Sequence, residues 1–122
     1  MNKTSKLITA NDKLVSQIIK VRDPLCRLRL TGCTHYTNDP AHVFGRANMA
    51  TRWELNAVYG ACRNCHSFVD THPDQKGLHF KNIMGQTCYN ELKKRSLSNQ
   101  KFMPSDLKEI NLKLKERLND QS

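Results

Sequence analysis

The sequence predicts a small α+β protein in which short strands and flanking helices are held together by bound zinc. Three observations support this: two pairs of cysteines, helical periodicity at both ends of the chain, and few apolar residues for a core. Hydrophobic residues make up 38% of the 122 residues and aromatic residues 7%. A chain of this length forms one domain, and a metal site can stabilise it where apolar burial is limited.

The first segment, residues 1–22, is predicted to be a basic helix. Asn11 is a candidate N-cap, and Pro24 would end the helix. The apolar residues of NDKLVSQIIKVRD recur at helical spacing and are Leu14, Ile18 and Val21.

The middle segment, residues 23–96, is predicted to contain the zinc-bound core. Turn residues precede a short apolar strand, AHVF, and a second strand is expected around Ala57 to Gly60. CRNCHSFVD begins a helix that THPDQKG interrupts. A longer helix is expected from Leu78 to Ser96, although Gly85 in its interior weakens that prediction.

The last segment, residues 97–122, contains the clearest helical pattern, PSDLKEINLKLKERLND, with Ser105 as the expected N-cap. One side of this helix carries an apolar stripe of Leu107, Ile110, Leu114 and Leu118. Such a stripe either packs on the rest of the domain or joins two copies of the chain in a homodimer.

The composition restricts the environment and the partners. Twenty Lys and Arg against 11 Asp and Glu give a net charge of +9, which indicates a polyanionic partner or simply a soluble surface. The odd cysteine count, the lack of an apolar signal region and the lack of a membrane-spanning run favour a cytoplasmic protein with no membrane association. In a reducing compartment, clustered cysteines bind zinc more often than they form disulfides.

The stretch CRNCH at residues 62–66 has three interpretations: a covalent haem anchor, a redox dithiol or half of a zinc site. The two-residue spacing of Cys62 and Cys65 suits a tetrahedral zinc ion, with Cys26 and Cys33 of CRLRLTGC as the other ligands. His35 is a rival ligand, and the second cysteine pair argues against haem. Cys88 is expected to be a buried small apolar residue.

Zinc bound by the four cysteines would leave His66 next to the metal site without a structural role. His42 in PAHVFGR and Asn56 in LNAVYGAC precede it, so the chain contains His, Asn and His in that order. With CRLRLTGC, AHVFGR, TRWELN and CRNCHSFVDTH, the region from Cys26 to Pro73 resembles the HNH endonucleases. Within them it is similar to the small recombination nucleases of the Rap type that phages encode.

The resemblance implies a treble-clef-like ββα-metal core, in which a two-stranded ribbon and a helix hold one divalent cation. It implies that the protein is a metal-dependent DNA endonuclease of phage recombination or branched-DNA processing. Its substrate would be branched or single-stranded DNA, in the cytoplasm of a bacterium or a phage-infected host cell. The cofactors would be structural Zn²⁺ and a catalytic Mg²⁺ or Mn²⁺, with Zn²⁺ and Ni²⁺ as further candidates.

The resemblance also implies a role for each candidate residue. His42 would be the general base, and Asn56 would orient the loop that faces it or help to hold the cation. His66 would bind the cation, and His72 would complete its shell or contact a phosphate. Arg46 and Arg52 would contact DNA phosphates, for which guanidinium groups are well suited.

The sequence departs from the family pattern in front of His42. Ala41 stands where the family often has an Asp or His that binds the metal; Asp39, His35 or His72 would have to replace it. The alternative function is a zinc-containing nucleic-acid-binding module without catalysis. A third class is a small adaptor that acts through its C-terminal helix.

Overall fold

A computed structural model describes residues 2–121 and confirms the α+β class, with five α-helices and one two-stranded sheet in that range. Two 3-10 turns, Met49–Thr51 and Leu55–Ala57, lie between the strands. The elements in chain order are α1 (Lys3–Arg22), β1 (Asp39–His42), β2 (Val58–Ala61), α2 (Arg63–Thr71), α3 (Pro73–Met84), α4 (Gln86–Ser96) and α5 (Pro104–Asp120).

Helix α1, Lys3–Arg22, covers nearly all of the segment 1–22 that was predicted to be helical, but its N-cap is not the predicted one. Asn2 is its N-cap, and the Asn2 side chain accepts a hydrogen bond of 2.8 Å from the Ser5 amide. The prediction of Asn11 as the N-cap is wrong, because Asn11 lies inside the helix, fully buried. Its amide donates to the Leu107 carbonyl at 3.2 Å, so a buried contact with α5 occupies this polar side chain.

Strands β1 and β2 form an antiparallel ribbon in which Asp39 is opposite Ala61 and His42 is opposite Val58. Every residue of β2 is buried. Side chains of neighbouring β2 residues point to opposite faces. Accordingly, Val58 packs into an apolar cluster with α1 and α5, while Tyr59 packs into a second cluster with α2, α3 and α4. The ribbon therefore lies between two helical layers.

The prediction of a single helix from Leu78 to Ser96 is wrong, because the chain forms two helices, α3 and α4, that meet at Gly85. Gly85 has φ of +87°, a left-handed conformation that is unfavourable for other residues. Cys88, in the first turn of α4, is exposed rather than buried.

Helix α5 begins at Pro104, so Ser105 lies within the first turn and is not the N-cap. The N-cap is Met103, whose backbone N–H donates to Asp106 Oδ2 at 2.8 Å. Leu107 and Leu114 of the predicted stripe are buried in the cluster shared with α1, and Ile110 and Leu118 pack against it. A homodimer through α5 stays a prediction.

Within residues 2–121, no helix combines the length and the apolar character that crossing a bilayer requires.

Candidate functional site

The four predicted zinc ligands come together beside the ribbon. The Sγ atoms of Cys26, Cys33, Cys62 and Cys65 all lie within 4.8 Å of one another. The Cys62 and Cys33 sulfurs are 3.9 Å apart. A tetrahedral zinc with Zn–S bonds of about 2.3 Å separates its sulfurs by about 3.8 Å. The cluster can therefore hold a metal ion such as zinc. Residues 34–61, which include both strands, lie between its two cysteine pairs in the sequence.

The backbone supports negative charge on these sulfurs. Cys62 is the N-cap of α2, and its sulfur accepts N–H bonds from Cys65 at 3.4 Å and from Thr34 at 3.5 Å. The Leu30 N–H donates to the Cys65 sulfur at 3.4 Å. Four thiolates in so small a volume repel one another, so a dication is needed to keep all of them ionised.

The individual thiols respond differently to this environment. Burial acts to raise the pKa of Cys62, but the N–H bonds from Thr34 and Cys65 outweigh it and lower that pKa to about 6. Burial raises the pKa of Cys65. His35, the rival ligand, is exposed, and its backbone N–H donates to the Cys33 sulfur at 3.3 Å.

A second group of polar side chains lines an open cleft of about 490 Å³. The cleft is formed by the edge of β1, the loop that follows β1, α2 and the start of α3. Its lining combines two imidazoles, two carboxylates and two basic groups. The lining residues are Asp39, Pro40, His42, Gly45, Arg46, His66, Asp70 and Lys76.

His42 is the last residue of β1, and it is held in one tautomer. Its Nε2 lies 3.1 Å from the Arg52 carbonyl oxygen. A carbonyl can only accept, so Nε2 carries the proton. Burial lowers the pKa of His42 from 6.5 to about 4. At neutral pH the ring is therefore uncharged, and Nδ1 keeps its lone pair for a proton from the cleft.

His66 lies in α2 between two carboxylates. Its Nδ1 is 3.2 Å from Asp39 Oδ2, and its Nε2 is 3.2 Å from Asp70 Oδ2. Asp39 is partly buried, which acts to raise its pKa, but hydrogen bonds from Arg63 and His66 bring that pKa below its usual value. One imidazole nitrogen and two carboxylates are a ligand set that divalent cations accept.

The two arginines predicted to contact phosphates differ in their surroundings. Arg46 lines the cleft, and its side chain is 62% exposed. Arg52 is only 15% exposed and forms a two-pronged ion pair with Asp12 of α1, with its Nη2 2.6 Å from Oδ2. Lys76 of α3 is the second basic residue of the cleft, and its Nζ lies 3.4 Å from Asp70.

Asn56 and His72 lie outside the cleft lining. Asn56 is exposed in the short turn Leu55–Ala57 that precedes β2. His72 is the residue between α2 and α3, where its Nδ1 donates to the Phe68 carbonyl at 2.8 Å and its ring stacks on Phe68 at 4.0 Å. Of the predicted site residues outside the cysteine cluster, the cleft brings together His42, His66 and Arg46.

The cleft also contains residues for which the sequence offered weaker signals. Asp70 is four residues after His66, which places both on one face of α2, and this spacing could have identified it. Asp39, His35 and His72 were the predicted replacements for the metal-binding residue that is missing at Ala41. Of these three, only Asp39 lines the cleft. Asp12 is outside the cleft lining and far from the loop in sequence, so no local pattern connects it with the Arg52 side chain that it binds.

Comparison of the chain with protein-family models, curated proteins and solved structures yields no match in any of the three. The functional argument therefore depends on the residues themselves. They provide a neutral imidazole with a free Nδ1, a nitrogen and oxygen ligand set, and two basic side chains in one open cleft. This combination can accept a proton, bind a cation and attract an anion.

Proposed function

We propose that this protein is a metal-dependent endonuclease of the HNH type that hydrolyses phosphodiester bonds in DNA. The main support is that one cleft combines His42, with its Nδ1 unprotonated, and the group of His66, Asp39 and Asp70. Asp39 and His42 lie on β1, and His66 and Asp70 lie on α2, with β2 between these two elements in the chain. A two-stranded ribbon followed by a helix is the arrangement that the resemblance implies. The net charge of +9 suits a nucleic-acid substrate.

In the proposed reaction, His42 Nδ1 takes a proton from a water molecule. The water oxygen attacks the phosphorus and the bond to the 3′ oxygen breaks, so the products are a 5′-phosphate and a 3′ oxygen that takes up a proton from solvent to become a hydroxyl. His66, Asp39 and Asp70 would hold the divalent cation. When bound, that cation stabilises negative charge on the phosphate and on the leaving oxygen. Arg46 and Lys76, at the edge of the cleft, attract the DNA backbone.

The two proposed metal sites offer different ligand atoms, so they favour different cations. Carboxylate oxygens suit Mg²⁺ and Mn²⁺, and an imidazole nitrogen also suits Zn²⁺ and Ni²⁺. The four-cysteine cluster offers only sulfur, which favours zinc over Mg²⁺. We infer that the protein binds a structural zinc in the cluster and exchanges a second cation in the cleft.

The decisive experiment replaces His42 by alanine. We expect the wild-type protein to nick supercoiled plasmid when Mg²⁺ or Mn²⁺ is added, and His42→Ala to reduce the rate about 10²- to 10⁴-fold. Zinc content should be unchanged, because His42 lies outside the cysteine cluster.

His79→Ala is the matched control for that variant. His79 lies in α3, with its ring 6.0 Å from that of Phe68 and outside the cleft lining, so the variant should cut at the wild-type rate. Cleavage by His42→Ala at the wild-type rate would rule out the proposed base.

A second candidate function is a zinc-containing nucleic-acid-binding module without catalysis. The exposed position of Asn56 and the alanine at position 41, whose side chain is buried in the core, favour it. Such a module would bind DNA with a strong dependence on salt and release no cleaved product with any of the four cations. It would also contain one zinc per chain and no second bound metal.

A further inference from the structure

A carboxylate of helix α1, that of Asp12, holds several side chains of the loop between β1 and β2, residues 43–57; Arg22 of the same helix donates to the Leu55 carbonyl at 2.8 Å. Asp12 accepts hydrogen bonds from three side chains of that loop. Arg52 donates through Nε at 3.0 Å and through Nη2 at 2.6 Å, Trp53 donates through Nε1 at 3.0 Å, and Arg46 donates through Nη2 at 3.2 Å. One acidic side chain therefore satisfies four donors from a segment 34 or more residues away.

The contacts of Asp12 are unequal in strength. The side chains of Asp12 and Arg52 are 17% and 15% exposed, and their two parallel hydrogen bonds form the strong, orientation-specific kind of ion pair. Arg46 is 62% exposed and makes one longer contact, which contributes little at the surface. The Trp53 indole is buried and needs a hydrogen-bond acceptor, which Asp12 provides. Asp12 therefore acts mainly on Arg52 and Trp53.

Arg52 connects Asp12 to the proposed general base. Its side chain is held by Asp12, and its backbone carbonyl accepts the Nε2 proton of His42 at 3.1 Å. Arg52 Nη1 also donates to the Arg46 carbonyl at 3.1 Å, which ties two parts of the loop together. A shift of Arg52 would move the carbonyl that fixes the His42 tautomer.

We propose that Asp12 is a positioning residue for His42, acting through Arg52 to hold the imidazole with Nδ1 available to the cleft. The role in catalysis rests on the proposed endonuclease function, whereas the effect on the His42 ring does not. Helix α1 thereby takes part in the site as well as in the core.

The charge state of Asp12 agrees with this role. Partial burial acts to raise the pKa of Asp12, but the hydrogen bonds and charge of Arg52 and the bond from Trp53 bring it below its usual value. Asp12 is therefore ionised at neutral pH. The groups that act electrostatically on His42 include Arg46 and Arg52, which disfavour its protonation, and Asp12, which favours it.

Removal of the Asp12 charge should loosen the loop without unfolding the protein. Helix α1 is held independently by Val15, Ile18 and Ile19 in the apolar cluster and by the Asn11 contacts with α5. The ribbon is also held by its own hydrogen-bonded register. A variant at Asp12 therefore separates the positioning of His42 from the stability of the fold.

The test compares Asp12→Asn in the full-length, zinc-containing protein with wild type. Its first readout is the ¹⁵N chemical shifts of the His42 ring, which distinguish the two neutral tautomers without any need for activity. We expect the wild-type ring to be protonated at Nε2 alone and the variant to show a mixture with the Nδ1–H form. A wild-type tautomer in Asp12→Asn would overturn the proposal.

The second readout is plasmid cleavage. We expect kcat of Asp12→Asn to fall about 10- to 100-fold with KM changed less than about threefold, because the misplaced base affects chemistry more than binding. Asp106→Asn is the matched control, since it removes a carboxylate that caps α5 and lies far from the cleft lining in sequence. It should lower the melting temperature while both the tautomer and kcat stay at wild-type values.

Two further results complete the test. If Asp12→Asn does not fold, Arg52→Lys keeps the positive charge but loses the two-pronged contact, and it should produce the same tautomer mixture and loss of kcat. A wild-type tautomer and kcat in that variant would also overturn the proposal. If wild-type protein cuts no DNA, the endonuclease function fails, and the tautomer comparison still decides the role of Asp12.

Discussion

His42 shows how one hydrogen bond and partial burial prepare a side chain for proton transfer. The Arg52 carbonyl determines which ring nitrogen carries the proton, and burial keeps the ring neutral. His66 has a different environment, because a carboxylate faces each of its ring nitrogens. Two histidines in one cleft are thus suited to different tasks, one to accepting a proton and the other to holding a cation.

The lowered pKa of His42 predicts a loss of stability in mild acid. A histidine of the unfolded chain takes up a proton near pH 6.5, whereas folded His42 does so only near pH 4. The unfolded state therefore binds the proton first, and stability that is fully present above about pH 6.5 is lost as the pH falls toward 4. A shift of this size corresponds to about 3 kcal/mol.

Urea unfolding at pH 7 and at pH 4.5 measures this effect. His42→Gln can keep a donor for the Arg52 carbonyl but does not titrate, so its free energy of unfolding should change less between the two pH values than that of wild type. An equal change in both proteins would mean that His42 is not kept neutral by the fold.

The sequence predicted residues that belong to a local pattern. Cys62 is the N-cap of α2, and Cys65 and His66 lie in its first turns, so their spacing alone brings them together. Asp12 could not be predicted, because its partner Arg52 is 40 positions away and only the packing of α1 against the loop brings them into contact. Asn56 was assigned by its order along the chain, and chain order does not determine which way a short turn faces.

At the scale of elements, α1 and α5 form a helical layer that packs against one face of the ribbon through Val58. Leu107 is almost fully buried between them, and Asn111 of α5 donates to Asn11 at 2.9 Å. A buried polar pair of this kind is favourable only in one register of the two helices, because a shift would leave both amides without partners. The apolar contacts thus supply stability, and the asparagine pair favours the observed alignment.

This packing predicts unequal effects for two leucines of α5. Leu107→Ala should lower the free energy of unfolding by about 2–5 kcal/mol, because it leaves a cavity at a site that is 1% exposed. Leu112→Ala is the matched control, since the same atoms are removed at a position that is 62% exposed, and its effect should stay below about 0.5 kcal/mol. Chemical denaturation measures both; equal effects would contradict the assignment of the buried face.

The elements were predicted where periodicity is local and missed where the backbone changes direction. The pattern of α5 follows from apolar spacing alone, whereas the apolar stretch AHVF located the first strand only approximately, because β1 is Asp39–His42 and ends at the second residue of that stretch. The division between α3 and α4 depends on the positive φ of Gly85, and a glycine within a helical pattern is compatible either with a continuous helix or with a break. Whether the helix continues or breaks at Gly85 is decided by packing, since α3 and α4 both contribute buried side chains to the apolar cluster that contains Tyr59.

Across the whole molecule, the cysteine cluster and the ribbon connect parts of the chain that have few apolar residues of their own. The segment from Cys26 to Cys33 contains no regular helix or strand, and the cysteine cluster attaches it to the start of α2. Asp23 adds a second attachment, since it accepts from Arg22, Arg27 and the Gly60 amide. A metal ion bound in the cluster would therefore attach this segment to the start of α2, the helix that also lines the cleft.

We expect the protein to lose stability when one cysteine of the proposed zinc site is replaced. Cys26→Ser should bind less than one zinc per chain and lower the melting temperature by at least about 10 °C, because metal binding free energy contributes directly to folding free energy. Cys88→Ser is the matched control, since Cys88 is exposed and lies outside the cluster, and it should keep one zinc and the wild-type melting temperature. Metal analysis and thermal unfolding by circular dichroism measure both variants. A Cys26→Ser protein that melts with wild type would mean that apolar packing alone holds the segment in place, and the cluster would then have no structural role.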